Sequence, residues 1–210
     1  MNKTKSKGQW LRAAGLLLLA AALVLTVYNI WDERRAGQAV QQTLAALPAP
    51  AAPVQLDAAA GPDAQVLPDY QLAPDMEMPA VAVDGERYIG VIEVPALGLQ
   101  LPVLRAWSYD NLKIAPCRYA GSAYTGNLVL AAHNYSTHFG RLDELSPGDA
   151  VRFTDVDGNV FDYAVAELQV LQPEAVEEML SGSWDLTLFT CTLGGQTRLT
   201  VRCTQTGAPG

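Results

Sequence analysis

The distribution of apolar and charged residues divides the chain into three stretches. Residues 13–28 contain no charged residue, and this apolar run, extended to residue 31, predicts one membrane-spanning helix. Residues 48–79 hold seven of the 13 prolines among many alanines, which is typical of an extended spacer without a core. The chain then changes to short alternating segments, as β-strands require. We therefore predict an N-terminal tail over 1–12, a transmembrane helix over 13–31, a stalk and spacer over 32–83, and a folded domain over 84–206.

The folded domain is predicted to be mainly β. Asp157-Gly158 indicates a tight hairpin, and one short helix is expected between Pro173, at its first turn, and Gly182, at its C-terminal cap. Short strands with a single intervening helix favour a closed or nearly closed β-barrel over a βαβ sheet. The predicted strands are Tyr88–Val94, Leu99–Leu104, Asn127–Ala132, Val151–Thr154, Val160–Val170, Leu186–Cys191 and Arg198–Cys203.

Charge is distributed unevenly around the apolar run. Four basic residues precede it and only Arg34 and Arg35 follow it closely, so the positive-inside rule predicts a cytoplasmic N-terminus and an extracellular folded domain. A cleaved secretory signal is the alternative, and it also places that domain outside. After residue 31, ten basic residues stand against all 22 acidic ones, which argues against nucleic-acid binding. The four preceding basic residues are Lys3, Lys5, Lys7 and Arg12.

The last two predicted strands bring a cysteine and an arginine together. Gly194 and Gly195 lie between them and predict a two-residue hairpin loop. In that register Cys191 lies directly opposite Arg198, with Cβ atoms about 5 Å apart, whereas Arg202 is farther from the sulfur. A guanidinium in this position can lower a thiol's pKa or donate to an oxyanion. The alternative is an ordinary exposed arginine beside a buried cysteine.

The chain has two histidines that could transfer protons for a cysteine nucleophile. His133 ends an apolar strand, where a side chain can reach the rim of a barrel. His138 lies in the following loop, and we expect it to be exposed to solvent. Zinc binding by both histidines and a cysteine is the alternative, although their spacing is not that of a usual zinc site.

Three features of the sequence resemble the sortase family. They are TLFTC at 187–191, an arginine that begins the next strand, and VLAAHN upstream; the likeness extends over roughly 84–206. The resemblance implies a sortase-type closed β-barrel with one or two short helices and cysteine transpeptidase activity. It further implies that Cys191 is the nucleophile, His133 the general acid and base, Arg198 the group that positions substrate and stabilises the oxyanion, and Thr190 a substrate-contacting residue.

The resemblance also implies a reaction. A thioester would form at a carbonyl of an LPxTG-like sorting signal, and an amine acceptor, either a cell-wall cross-bridge or a pilin lysine, would resolve it. The segment 173–183 would correspond to the loop that reads the signal. No cofactor or metal is implied, and the N-terminal anchor favours a class B-like or housekeeping enzyme. Alternatives are a tethered adhesion or sensor domain without activity and a purely hydrolytic cysteine peptidase.

Three further features stay open at the level of sequence. Cys117 and Cys203 could form a disulfide in an oxidising exterior, or stay reduced as small apolar residues. Residues 67–79 could fold over a groove as a lid instead of belonging to the spacer. Some carboxylates could bind calcium, although no loop has a regular ligand spacing. These carboxylates are Glu93, Asp110, Asp143 and Glu144.

Overall fold

The computed structural model describes residues 4–48, 67–192 and 194–207. Much of the predicted spacer, residues 49–66, and the first three residues of the predicted cytoplasmic tail lie outside the described residues. The chain divides into two compact units, Met1–Arg35 and Ala36–Gly210.

The described part of the first unit, residues 4–35, is helical. Helix α1 runs over Thr4–Ala46, and its Gly8–Ala46 part contains an 18-residue window with a mean hydropathy of 2.2 and no buried residue. By length and composition this helix can cross a membrane, although a signal sequence near an N-terminus has the same properties. The expectation of one N-terminal apolar helix is confirmed.

The second unit contains a closed, eight-stranded, mixed β-barrel. Strands β2 to β9 follow the order β2-β3-β4-β5-β8-β9-β7-β6, and β6 pairs with β2 to close the barrel. The short β1 pairs antiparallel with the first residues of β2. The strands are β1 Val81–Val83, β2 Glu86–Val94, β3 Leu99–Leu104, β4 Cys117–Ala120, β5 Leu128–Ala132, β6 Ala150–Asp155, β7 Val160–Leu171, β8 Leu186–Cys191 and β9 Arg198–Gln205.

All seven predicted strands are present, with ends within two residues of the prediction. The predicted helix forms as α4, Val176–Leu180, and begins three residues after Pro173. Gly182 follows the end of α4 with a φ of 98°, the left-handed conformation that glycine adopts without steric cost. Strands β1 and β4 were not predicted, nor were helices α2, Asp69–Leu72, and α3, Tyr109–Leu112. These elements have three or four residues each, too few to show a periodicity.

The segment before β1 supplies part of the barrel core. Tyr70 and Met78 are 4% and 2% exposed, and the Tyr70 ring stacks on Tyr124 with centroids 4.6 Å apart. Val40, on the last turns of α1, belongs to the same core. Aromatic stacking and apolar burial of this kind stabilise a fold. Parts of the predicted stalk and spacer are therefore integral to the second unit, and the predicted domain start at residue 84 stays a prediction.

Candidate active site

Strands β5 and β8 are parallel neighbours that end at the same side of the barrel. Ala132 is the register partner of Thr190, so His133 and Cys191 are the next residues along the two strands. The hydroxyl of Thr190 is buried and donates to the carbonyl oxygen of Ala132 at 2.9 Å. The residue before the histidine is therefore bonded to the residue before the cysteine, which sets the relative position of the two backbones.

The three cysteines have different surroundings. Cys191 is half-buried, whereas Cys117 and Cys203 are both 0% exposed. Burial raises the pKa of each of these two thiols from 9.0 to about 12. All three cysteines are unpaired, so the considered disulfide between Cys117 and Cys203 does not form. The two lie in separate apolar clusters, and Cys191 is the thiol that a substrate can reach.

Arg198 lies opposite Cys191 in the β8–β9 ladder, which confirms the predicted register. Its Nη1 donates to the carbonyl oxygens of Gly195 and Thr197 at 3.0 and 3.1 Å, and these bonds fix the guanidinium beside the hairpin loop. Among the residues that the structure describes, Nε and Nη2 of Arg198 have no hydrogen-bond partner. Two donor groups of a half-buried cation are therefore available to a bound molecule.

The hairpin loop itself differs from the prediction. The Gly195 amide donates to the Thr192 carbonyl at 2.8 Å, and the ladder's last bond joins the Thr192 amide to the Thr197 carbonyl at 3.0 Å. Gly194 and Gly195 have φ of 82° and 72°, but they do not form a two-residue loop on their own. The Thr192 hydroxyl also accepts from the Thr197 amide at 3.2 Å, so these two residues hold the two sides of the loop together.

His133 follows β5 and is half-buried. Its carbonyl oxygen accepts from the Phe139 amide at 3.2 Å, which closes the loop that begins at the histidine. The ring of Tyr135 lies 5.0 Å from the imidazole, centroid to centroid, at an interplanar angle of 39°. The loop therefore returns to its starting point and gives the imidazole an aromatic neighbour.

The expectation that His138 is exposed is wrong, because its side chain is 0% exposed. Its amide donates to the Tyr135 carbonyl at 2.9 Å and so closes a turn. This turn directs the chain inward, because the next residue, Phe139, is buried in the core. The ring of Tyr135 lies 5.4 Å from that of His138. His138 is thus a buried residue of the loop, and His133 is the histidine at the barrel rim.

One cavity of about 260 Å³ brings the predicted site residues together. Cys191, His133, Arg198 and Thr190 all line it, although they come from three separate parts of the chain. A thiol, an imidazole and a guanidinium around one cavity are the groups that nucleophilic acyl transfer uses. The individual roles of these residues stay predictions.

The rest of the cavity has two apolar walls. One is an aromatic wall of four rings in which Trp107 packs on Tyr109 and Tyr119, and Tyr119 packs edge-on against Phe189 at 5.3 Å. Sequence reasoning missed this wall because its rings come from three segments. The sequence did offer one signal of this wall, because two exposed aromatic residues, Trp107 and Tyr109, lie close together outside the predicted strands. The other wall is formed by the approach to α4 and by α4 itself, namely Gln172, Pro173, Ala175, Val176 and Met179.

Two further possibilities from the sequence find no counterpart here. No residue of the segment 67–79 lines the cavity, so the alternative that this segment is a lid is not supported by its position. In the described parts of the chain, no three His, Cys, Asp or Glu side chains are grouped so as to hold a metal ion. Three of the candidate calcium ligands instead contact other side chains: Glu93 with Gln100, Asp110 with Lys113 and Glu144 with Arg141.

Comparison with known proteins identifies the family. A family model of the sortase domain matches residues 92–206, more than half of the chain. The chain is 32% identical over 123 residues to Sortase A of Bacillus anthracis, an alignment that covers 55% of this chain and 57% of that protein. The chain therefore matches little more than half the length of this curated relative. It belongs to the sortase family of cysteine transpeptidases.

Solved structures agree with this assignment. Sortase A from Corynebacterium diphtheriae superposes with a TM-score of 0.54 at 24% identity, over 59% of this chain and 62% of that one, and it shows the shared fold. A Clostridium perfringens sortase C, solved with the C-terminal cell wall sorting motif, has a TM-score of 0.51 at 28% identity, over 58% and 71%. The predicted sortase-type barrel is confirmed. Because relatives of more than one sortase class match, the class is not resolved.

Proposed function

We propose that this protein is a membrane-anchored sortase that cleaves an LPxTG-like sorting signal and transfers the released acyl group to an amine. The observation that carries the proposal is the convergence of Cys191, His133 and Arg198 on one apolar-walled cavity. Cys191 is the accessible thiol of the chain, and the two other cysteines are buried in separate apolar clusters.

In the first half of the reaction, His133 takes the proton of the Cys191 thiol, and the sulfur attacks the scissile carbonyl carbon. A carbon–sulfur bond forms, and the carbonyl π electrons move to the oxygen, which becomes an oxyanion. When this intermediate collapses, the carbon–nitrogen bond breaks, and His133 gives a proton to the departing amine. A thioester on Cys191 results, and one difficult amide exchange becomes two easier steps.

In the second half, an acceptor amine attacks the thioester carbonyl. His133 takes a proton from this amine, and the sulfur leaves as the new amide forms. Arg198 is placed to assist both halves, because its Nε and Nη2 are the donors of this hairpin end that the loop carbonyls do not use. We assign Arg198 to stabilising the oxyanion and to positioning the substrate.

Thr190, which we predict to contact substrate, also makes a hydrogen bond within the barrel. It lines the cavity, but its hydroxyl is donated to the Ala132 carbonyl. We infer that the hydroxyl fixes the strand ends that carry His133 and Cys191, which leaves the methyl group and the backbone of Thr190 for substrate contact.

The family supports the choice of donor, and the acceptor is part of the proposal. The solved sortase C from Clostridium perfringens contains the C-terminal cell wall sorting motif, which supports a sorting-signal protein as the donor here. A cell-wall cross-bridge or a pilin lysine would be the acceptor. The apolar helix would anchor the chain in the membrane of a Gram-positive bacterium, with the N-terminus in the cytoplasm and the barrel outside.

The test is to incubate the full chain, purified in detergent, with a panel of sorting-signal peptides and amine acceptors, and to follow the protein and the products by mass spectrometry. A peptide adduct on Cys191 that an added amine converts to a ligated product supports the proposal. Cys191→Ala should abolish both adduct and product. An adduct that only water resolves would indicate a hydrolytic peptidase, and absence of any adduct across the panel would favour a tethered domain without activity.

A further inference from the structure

Strand β9 contains a second arginine, Arg202, whose side chain is buried between the strands and α4 and does not line the cavity. Arg202 is 2% exposed, four residues along the strand from Arg198, and pairs with Thr187 of β8 in the ladder. Burial lowers the pKa of this guanidinium. No carboxylate within the described residues forms a salt bridge with it.

The hydrogen-bond acceptors of the Arg202 guanidinium are neutral oxygen atoms, and Glu167 acts on it only as a nearby charge. Nη1 donates to the Met179 carbonyl at 2.8 Å and to the Thr187 hydroxyl at 3.0 Å. Nη2 donates to the Glu178 carbonyl at 2.6 Å, and Nε donates to the Gln169 side-chain oxygen at 3.4 Å. One side chain thus joins β9, β8 and β7 to the carbonyl end of α4.

Helix α4 depends on such a partner. It has only five residues, too few to be stable alone, and the last carbonyls of any helix lack partners within the helix. Arg202 supplies donors to two of these carbonyls, and cations are favourable at this end of a helix. The guanidinium therefore acts as a cap that ties α4 to the barrel.

The capped end of α4 is also part of the cavity. Met179 is 5% exposed, packs against Val129 and Leu171, and lines the cavity beside Cys191. The Thr200 hydroxyl of β9 donates to the Met179 sulfur at 3.8 Å, which fixes this side chain against the barrel. Movement of α4 would therefore change the shape of the wall that faces the thiol.

We propose that Arg202 is a positioning residue that fixes α4 as one wall of the catalytic cavity and so determines how well substrate is held there. Burying a cation among neutral acceptors gives a fold little net stability compared with apolar packing, so a role in placing α4 accounts for it better than stability does. The part that concerns substrate rests on the proposed function, whereas the placement of α4 can be measured without it.

The experiment compares Arg202→Met and Arg202→Lys in the full chain purified in detergent. Arg152→Met is the matched control, because Arg152 is exposed on β6 and forms a salt bridge with Asp162 on the barrel surface. Hydrogen–deuterium exchange reports on the α4 amides, in which Met179 donates to Ala175 and Ser181 to Glu177. The kinetic constants of peptide cleavage, and the rate at which iodoacetamide alkylates Cys191, complete the set.

In Arg202→Met we expect exchange at α4 to be faster by roughly tenfold while β8 and β9 keep their protection. KM should rise about tenfold with kcat changed by less than about threefold, and the alkylation rate should stay unchanged. Arg202→Lys should be intermediate, since a lysine cannot reach two carbonyls in a fork, and it decides the matter if the methionine variant does not fold.

Exchange at α4 equal to that of Arg152→Met would overturn the proposal, as would a fall in kcat at constant KM. If the wild-type chain cleaves no peptide of the panel, the proposed function fails. The exchange data then still decide whether Arg202 holds α4.

Discussion

The two ends of the β8–β9 ribbon contain the same residue types in opposite surroundings. At the cavity end, Cys191 and Arg198 face each other and both are half-buried. At the other end, Cys203 and Arg202 are 0% and 2% exposed, with Cys203 in the barrel core and Arg202 on the opposite face of β9 against α4. A thiol and a guanidinium are therefore available to substrate at one end of the ribbon and buried at the other.

The neighbouring strands cause this difference. β5 ends at Ala132, opposite Thr190, so Cys191 extends one residue past the strand that covers the rest of β8. Arg202, by contrast, is paired on both sides, with Thr187 of β8 and Glu167 of β7, and lies under α4. Whether a residue of this ribbon is exposed to substrate or holds the fold together therefore depends on where the neighbouring strands end. It does not depend on the residue type.

The cysteines provide the largest expected difference. In native protein at pH 8, iodoacetamide should alkylate Cys191 and leave Cys117 and Cys203 unmodified. Raising a thiol pKa from 9.0 to about 12 lowers its thiolate fraction about a thousandfold, in addition to the loss of access. Peptide mapping by mass spectrometry measures the modification. Equal labelling of Cys191 and Cys203 would show that the interior is not closed.

The two buried thiols, Cys117 and Cys203, also determine the sign of a pH dependence of stability. Their folded-state pKa is raised, so their contribution to the free energy of unfolding is complete below pH 9 and is lost as the pH rises toward about 12. Chemical denaturation at increasing alkaline pH should therefore show falling stability over this window.

Tyr70 and Leu72 extend the comparison to the segment before β1. Tyr70 is buried against Tyr124 and Phe161, whereas Leu72, two residues on, is 71% exposed. Tyr70→Ala should lower the free energy of unfolding by about 3–5 kcal/mol, as for other large buried aromatics. Leu72→Ala should change it by less than about 0.5 kcal/mol. Similar denaturation midpoints for the two variants would mean that this segment is only a spacer.

The two arginines should differ in which property they change. Arg198→Ala should raise the activation barrier by about 2.7–4 kcal/mol, the usual loss for an oxyanion donor, and leave the melting temperature almost unchanged. Arg202→Ala should raise KM and in addition lower the melting temperature, because it leaves two α4 carbonyls without donors. Steady-state kinetics and thermal unfolding on the same samples separate the two effects. Equal catalytic losses without destabilisation would contradict the assignment.

The smallest expected effect is on kcat/KM and comes from replacing Thr190, which lies between the exposed and the buried end of the β8–β9 ribbon. Thr190→Val removes the hydroxyl that the Ala132 carbonyl accepts from and should lower kcat/KM roughly fivefold, equivalent to about 1 kcal/mol. Thr190→Ser keeps the hydroxyl and is the matched control. If the serine variant loses as much activity as the valine variant, the methyl group and not the hydrogen bond is what matters.

Much of the architecture was predictable from the sequence because it depends on neighbours along the chain. Alternation of apolar residues identified the seven longer strands, and the uncharged apolar run identified the N-terminal helix. The pairing of Cys191 with Arg198 was also predictable, because a hairpin connects them through a short loop. The string TLFTC, with its upstream histidine and downstream arginine, indicated the sortase family before any coordinates.

Tertiary structure alone decided the contacts between residues far apart in the chain. The parallel pairing of β5 with β8 joins residues 58 positions apart and brings His133 to Cys191. The burial of His138, the packing of Tyr70 and the four acceptors of Arg202 likewise depend on elements that meet only in the closed barrel. Local patterns specify which face of a segment is apolar, but the partner on that face is set by the whole fold.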